Sequence, residues 1–237
     1  MKKKAVVLLS GGLDSTVTAY IAKDEGFDLS ALTFLYGQRH DKEIQATKKI
    51  AKSLSISDHV FFTLDLSQFG GSTLFKKSKR DIKTPEHVSA IGKEIPDTYV
   101  PGRNTIFLSI ALSLAETRNA QAIFTGVTAM DYSGYPDCRP EFIKAFQQLT
   151  NIATKKSITG HPIFIKTPLI MLNKAEIIKK GDVLSVPFEN TWSCYNGRKK
   201  ACGVCDSCQL RLQGFQQARI IDPLPYETFP EWYHPHQ

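Results

Sequence analysis

The stretch Ala5-Val6-Val7-Leu8-Leu9-Ser10-Gly11-Gly12-Leu13-Asp14-Ser15 decides the fold. A short apolar, β-favouring run feeds two glycines and then a segment able to start a helix. Such a strand, loop and helix start aims several backbone N–H groups at one point, where an anion is held. Ser15 is placed to cap the helix. Asp14 is the unexpected member, because a carboxylate beside a phosphate site makes sense when a cation or a developing transition-state charge also sits there. The absence of a Gly-Lys-Ser/Thr ending excludes a Walker A loop, and the glycine spacing excludes the dinucleotide fingerprint. On these residues alone, an ordinary Ser-Gly-Gly turn accounts for the stretch as well as a phosphate site does.

Outward from the loop, Ser15 to Glu25 reads as a helix with Val17, Tyr20 and Ile21 on its apolar face and Gly26 at its end. Leu29 to Leu35 reads as a second strand, stopping at the polar cluster Tyr36-Gly37-Gln38-Arg39-His40. Glu43 to Leu54 has helical spacing, and Val60 to Leu64 makes a third, buried strand. Strand, helix, strand, helix, strand is the pattern of an α/β fold, a doubly wound, mostly parallel sheet with helices on both faces. In a parallel sheet the polar cluster after Leu35 shares an edge with the glycine loop. Residues 69–98 break the rhythm with Gly70-Gly71, a basic run, Pro85 and Pro96, and read as a long excursion. Beyond them come a turn at Val100-Pro101-Gly102-Arg103-Asn104 and a helix from Thr105 to Thr117. Ala122 to Val127 would be the fourth strand, and a helix starts just after Pro140. Ile163 to Ile165 would be the fifth strand, ending at Lys166, and Lys174 to Lys180 a short helix ended by Gly181. The expected organisation is a nucleotide-binding α/β domain over 1–185 and a small metal-binding segment with its tail over 186–237.

The chain has 237 residues, 42% apolar and 22% charged, which suits a globular protein, and no stretch is long and apolar enough to cross a membrane. Lys2-Lys3-Lys4 followed by an apolar run imitates a secretory signal, but Ala5 to Leu9 is shorter than a signal's apolar core, so the expected location is cytoplasmic. A net charge of +7 suits an anionic partner without choosing among nucleotide, nucleic acid or acidic small molecule. Five cysteines in such a chain argue against a disulfide framework. Four of them, Cys194, Cys202, Cys205 and Cys208, follow C-x7-C-x2-C-x2-C, which can close a tetrahedral zinc shell with no open position. An iron–sulfur cluster is the rival occupant.

Through Ser10 to Ser15 the chain resembles the PP-loop ATP pyrophosphatase superfamily. Within it the chain resembles the 7-cyano-7-deazaguanine synthase family of the queuosine pathway, nearly from end to end. The residues that carry this are Tyr36-Gly37-Gln38-Arg39-His40, Val100-Pro101-Gly102-Arg103-Asn104, the run from Asp131-Tyr132-Ser133 to Asp137-Cys138-Arg139, Thr167-Pro168-Leu169, and Thr191-Trp192-Ser193-Cys194 leading into the cysteine cluster. The resemblance implies conversion of 7-carboxy-7-deazaguanine and ammonia to the 7-cyano base with consumption of ATP, one structural zinc per chain, Mg²⁺ with the ATP, and a homodimer. It implies an ATP-binding run of Leu8, Leu9, Ser10, Gly11, Gly12, Leu13, Asp14, Ser15, Thr16, Val17 and Thr18. Lys166, at a strand end, is a further phosphate candidate. Asp14, Ser15 and Arg103 are the expected catalytic residues. Substrate contacts are expected from Tyr36 and Gln38, from Asp131 or Asp137 reading the guanine-like N–H groups, from Tyr132 or Tyr135 by stacking, and from Arg39, Arg103 or Arg139 pairing with the carboxylate. His40 and Cys138 are candidates for proton handling and for a nucleophile. No stable nucleic-acid partner and no membrane are expected. The competing readings are a PP-loop enzyme that modifies tRNA directly and a nucleotide-sensing domain with a zinc ribbon.

Overall fold

In the computed structural model, the described residues are 2–39, 41–82, 85, 88, 91, 95–130 and 135–234. Five strands, β1 (Lys4–Leu8), β2 (Asp28–Leu35), β3 (Asp58–Thr63), β4 (Ala122–Phe124) and β5 (Phe164–Lys166), form one sheet in the order β3-β2-β1-β4-β5. Every pairing is parallel. Consecutive side chains of β1 go to opposite layers, as the pleat requires. Val6 packs into one core with Leu108, Ala111 and Leu112 of α3 (Arg103–Thr117) and Ile143 and Phe146 of α4 (Pro140–Ala153). Ala5 and Val7 pack into the other with Ala19 and Ala22 of α1 (Leu13–Asp24) and Ile50 and Ala51 of α2 (Lys42–Ser53). The short helix α5 (Lys155–Ile158) follows α4. The last two helices, α6 (Lys174–Val183) and α7 (Asp206–Ala218), join α1 in a third core, where Ile177, Ile178 and Phe215 meet Leu13, Val17 and Ile21.

The sheet order places its reversal at β1, with β2 and β3 to one side and β4 and β5 to the other. A crevice opens at such a switch point, outside the carboxyl ends of the strands. The glycine loop that leaves β1 lies there.

Several boundaries differ from the sequence reading, each for a local reason. β3 is an edge strand, with Phe61 and Phe62 exposed, so it is not the buried strand its composition suggests. β4 stops at Phe124 because the following chain descends onto α1; a Cβ on Gly126 would stand 2.9 Å from the backbone of Asp14. α6 starts at a capping box, in which Asn173 Oδ1 accepts from Glu176 N at 3.0 Å and Glu176 Oε2 from Asn173 N at 2.8 Å. It then runs through Gly181, whose missing side chain makes room for the Phe188 ring and Val17. Among the described residues no helix is long and apolar enough to cross a membrane.

Candidate active site and metal cluster

A cavity of about 300 Å³ lies over the carboxyl ends of β1, β2 and β4. Gly11 has φ +80°, and any side chain there would strike α2, at the backbone of Glu43 and Thr47 and the Cβ of Ala46. From the other side, Trp192 N donates to Gly11 O at 2.8 Å. The loop is thus clamped between the start of α2 and the segment before the cysteine cluster. Ser15 is not the cap: the N-cap of α1 is Gly12, and no side chain caps that helix. Ser15 Oγ instead donates to Gly12 O at 3.1 Å and accepts from Ser10 N at 3.2 Å, closing the loop on itself. The start of α1 therefore faces the cavity with its uncapped N–H groups.

Asp14 lines the cavity and accepts from Lys174 Nζ at 2.8 and 2.9 Å. Lys174 is the first residue of α6, and Gly214 of α7 leaves the space its stem occupies. A cation thus stands beside Asp14, supplied by the protein itself, at the mouth of the glycine loop.

The opposite wall is aromatic. Phe34 and Phe107 stack with ring centroids 3.8 Å apart, and Tyr36 meets Phe107 edge-on at 5.6 Å. Arg103 lines the same wall. Burial works against its charge, but Tyr36, Tyr135, Cys138 and Asp137 outweigh that and hold the guanidinium above its ordinary pKa. Burial pushes the Tyr36 hydroxyl up to about 12, against the pull of Arg103. Burial also pushes the Glu43 carboxyl up to about 7, opposed by Arg103. Burial raises the Cys138 thiol to about 11, which disfavours its thiolate.

Of the residues expected from sequence, Leu8, Leu9, Ser10, Gly12, Leu13, Asp14, Ser15, Tyr36, Gln38, Arg39, Arg103 and Tyr135 line this cavity, with Gly11 holding the loop beneath it. Others are placed elsewhere. Thr16, Val17 and Thr18 are buried in α1. Lys166 turns away from the loop: its Nζ donates to Glu25 Oε2 at 2.5 Å and lies over the rings of Phe27 and Phe124. Asp137 serves as a helix cap, its Oδ2 accepting from Asn104 N at 2.9 Å in the first turn of α3. Arg139 is exposed at the N-cap of α4, outside the cavity lining. Asp131, Tyr132 and His40 lie outside the described residues. Two lining groups are already engaged: Gln38 Oε1 accepts from Tyr36 N at 2.8 Å, and Arg39 donates to the carbonyls of Thr73 at 2.7 Å and Arg80 at 2.5 Å. Glu43, Lys174 and Arg211 also line the cavity and were not singled out in the sequence. The first two share a signal, since each sits in the first turn of a helix that follows a parallel strand, where the fold turns side chains toward the crevice.

The four C-terminal cysteines are buried, and their sulfur atoms all lie within 4.8 Å of one another. Cys202 Sγ and Cys208 Sγ are 3.9 Å apart. Four thiolates at zinc distance form a tetrahedron with edges of about 3.8 Å, so the donor set fits a closed metal site. Two of the cysteines frame the start of α7, and one turn beyond Cys208 comes Arg211, which is fully buried. Its guanidinium grips Asp222 at 2.7 and 2.9 Å and donates to Thr191 Oγ1 at 2.7 Å and to Phe188 O at 3.2 Å. Asp222 also accepts from Tyr226 Oη at 2.7 Å. The chain thereby connects the cysteine cluster, through α7 and Arg211, to the 188–193 segment that hydrogen-bonds the glycine loop.

A doubly wound parallel sheet, with a glycine loop at its switch point and a carboxylate–ammonium pair beside that loop, makes this an α/β protein whose crevice lies at the carboxyl ends of its strands. The chain belongs to the family described as Queuosine biosynthesis protein QueC, whose model matches residues 4–219. It is 52% identical over 229 residues to a 7-cyano-7-deazaguanine synthase of Citrifermentans bemidjiense, covering 96% of this chain and 99% of that protein. The enzyme of the same name from Thermosynechococcus vestitus is 49% identical over 228 residues, covering 96% of this chain and 97% of that protein. That from Coxiella burnetii is 51% identical over 228 residues, covering 95% and 99%.

Proposed function

We propose that this protein converts 7-carboxy-7-deazaguanine and ammonia into 7-cyano-7-deazaguanine at the expense of ATP. The observation that carries the reading is the union, in one cavity, of the glycine loop with its Asp14–Lys174 pair and an aromatic wall bearing Arg103. A carboxylate resists attack by ammonia until one of its oxygens becomes a good leaving group. With the ATP phosphates held over the start of α1, the substrate oxygen attacks the α-phosphate, expelling pyrophosphate and leaving an acyl-adenylate. Ammonia displaces AMP to give the amide. The amide oxygen is then adenylated in turn, and loss of two protons and AMP leaves the nitrile. The uncapped N–H groups and Lys174 stabilise the charge that grows on the phosphates, and Arg103 orients the carboxylate between the loop and the aromatic wall. Mg²⁺ arriving with ATP supplies further neutralisation, with Asp14 as the carboxylate placed to meet it.

In the same proposal, Cys194, Cys202, Cys205 and Cys208 hold one structural zinc, residues 186–237 form the metal-binding segment appended to the nucleotide domain, and the protein works in the cytoplasm as a homodimer without a stable nucleic-acid partner. Metal analysis of the purified protein should give about one zinc per chain. A brown protein with visible absorption would contradict that. For the reaction, ATP consumption should require both the 7-carboxy base and ammonium. Consumption stimulated by tRNA instead, with tight salt-dependent tRNA binding, would assign the site to direct tRNA modification.

A further inference from the structure

The cavity carries more charge than the phosphate chemistry uses. Among its described lining residues the carboxylates are Asp14 and Glu43, and the cations are Arg39, Arg103, Lys174 and Arg211. Asp14 and Lys174 hold each other, Arg211 is locked to Asp222, and Arg39 is committed to the carbonyls of Thr73 and Arg80. Glu43 and Arg103 remain, one of each sign, lining the same space, with Arg103 also hydrogen-bonded to the Tyr36 side chain.

The backbone of Glu43 is held at the cavity wall. It stands in the first turn of α2, and its own carbonyl is the atom against which Gly11 packs, so its Cα is fixed relative to the phosphate loop. Glu43 is half-buried at the cavity wall, where its carboxyl gains from a hydrogen-bond partner. The partner that fits is a donor edge brought in by a ligand. A guanine-type base has one, the ring N1–H beside the exocyclic 2-amino group, two parallel donors spaced for the two oxygens of a carboxylate. The base's own carboxylate then belongs at Arg103, which leaves both protein charges matched.

Resting on the function proposed above, we infer that Glu43 is the specificity residue for the base, accepting from N1–H and the 2-amino group while Arg103 holds the 7-carboxylate. Asp131 and Asp137 were the expected readers of that edge. Asp137 is occupied as the cap of α3, and Glu43 takes the role from a different element.

The test compares the 7-carboxy base with the analogue lacking only the 2-amino group, in the unmodified enzyme and in Glu43→Gln. A site built around a donor rejects a ligand that lacks it. The unmodified enzyme should therefore prefer the parent base by about 100-fold in kcat/KM. Glu43→Gln, which offers one acceptor and a clashing amide donor, should lose about 100-fold on the parent base, chiefly through KM. It should lose little on the analogue and leave the KM for ATP unchanged. An acid that merely complements the start of α2 predicts a small stability loss and equal effects on both bases. Equal losses on the two bases, an unchanged KM for the parent base, or indifference of the unmodified enzyme to the 2-amino group would overturn the inference. The last comparison needs no variant, so a misfolded Glu43→Gln cannot shelter the idea. Turnover of the parent base by the unmodified enzyme separates this failure from failure of the proposed function; without that turnover both fall.

Discussion

Asp14→Ala is expected to fold normally and to lose about three orders of magnitude in ATP-dependent turnover. The two halves of that expectation rest on different observations. The Asp14–Lys174 pair is partly open to solvent, with the aspartate side chain 31% exposed and the lysine 13%. Pairs of that kind contribute roughly 1 kcal/mol or less to stability. Catalytically the pair stands where the phosphates would lie, at the uncapped start of α1, and removing Asp14 leaves the Lys174 ammonium misplaced and the expected Mg²⁺ contact gone. Thermal unfolding should therefore shift little while single-turnover consumption of ATP collapses. Near-normal turnover would remove Asp14 from the chemistry.

Arg211→Met should have the largest effect on stability. The guanidinium and the Asp222 carboxylate are 2% and 1% exposed. Loss of the arginine strands a buried carboxylate, along with the Thr191 hydroxyl and the Phe188 carbonyl it satisfied. Breaking such a pair from one side costs about 3–5 kcal/mol, a large part of the stability of a protein this size. The urea midpoint of the single variant should fall accordingly. Arg211→Met combined with Asp222→Leu should recover part of the loss, because no unpaired charge then remains. A single variant within about 1 kcal/mol of the parent would contradict the role assigned to this pair. The consequence also reaches the site. Thr191 adjoins Trp192, whose N–H holds Gly11, so a loosened 188–193 segment should weaken ATP binding even where the variant still folds.

Much of this architecture is readable in the sequence because it is local. The apolar run before Ser10, the alternation of strand and helix patterns through Thr63, and the spacing of four cysteines each depend on neighbours along the chain. What escapes is what depends on neighbours across it. Strand order is not written in periodicity, so the burial of β1 and the exposure of β3 follow only once the sheet is assembled. α7 is hidden because Gln209 and Arg211 sit at buried positions and interrupt its apolar stripe, and their partners Pro85 and Asp222 are remote or follow the helix. Gly181 reads as a helix end, yet it is a point where the Phe188 ring crosses. Lys166 looks like a phosphate ligand by its strand-end position, but its long stem carries the ammonium back over Phe27 to Glu25. The residues of the loop and of the cysteine cluster were visible as motifs. Glu43 and Lys174 were not, because an acid or a lysine in a first helical turn has an ordinary explanation until the cavity above it is seen.

One measurement bears most directly on the proposed chemistry. The protein is incubated with ATP, Mg²⁺, ¹⁵N-ammonium and 7-carboxy-7-deazaguanine, and the base is followed by mass spectrometry. The expected result is a labelled amide that appears first and gives way to a labelled nitrile, with ATP consumed at both steps. A base that remains a carboxylate while the protein is folded and metal-loaded, or an amide that accumulates without ever becoming the nitrile, would contradict it.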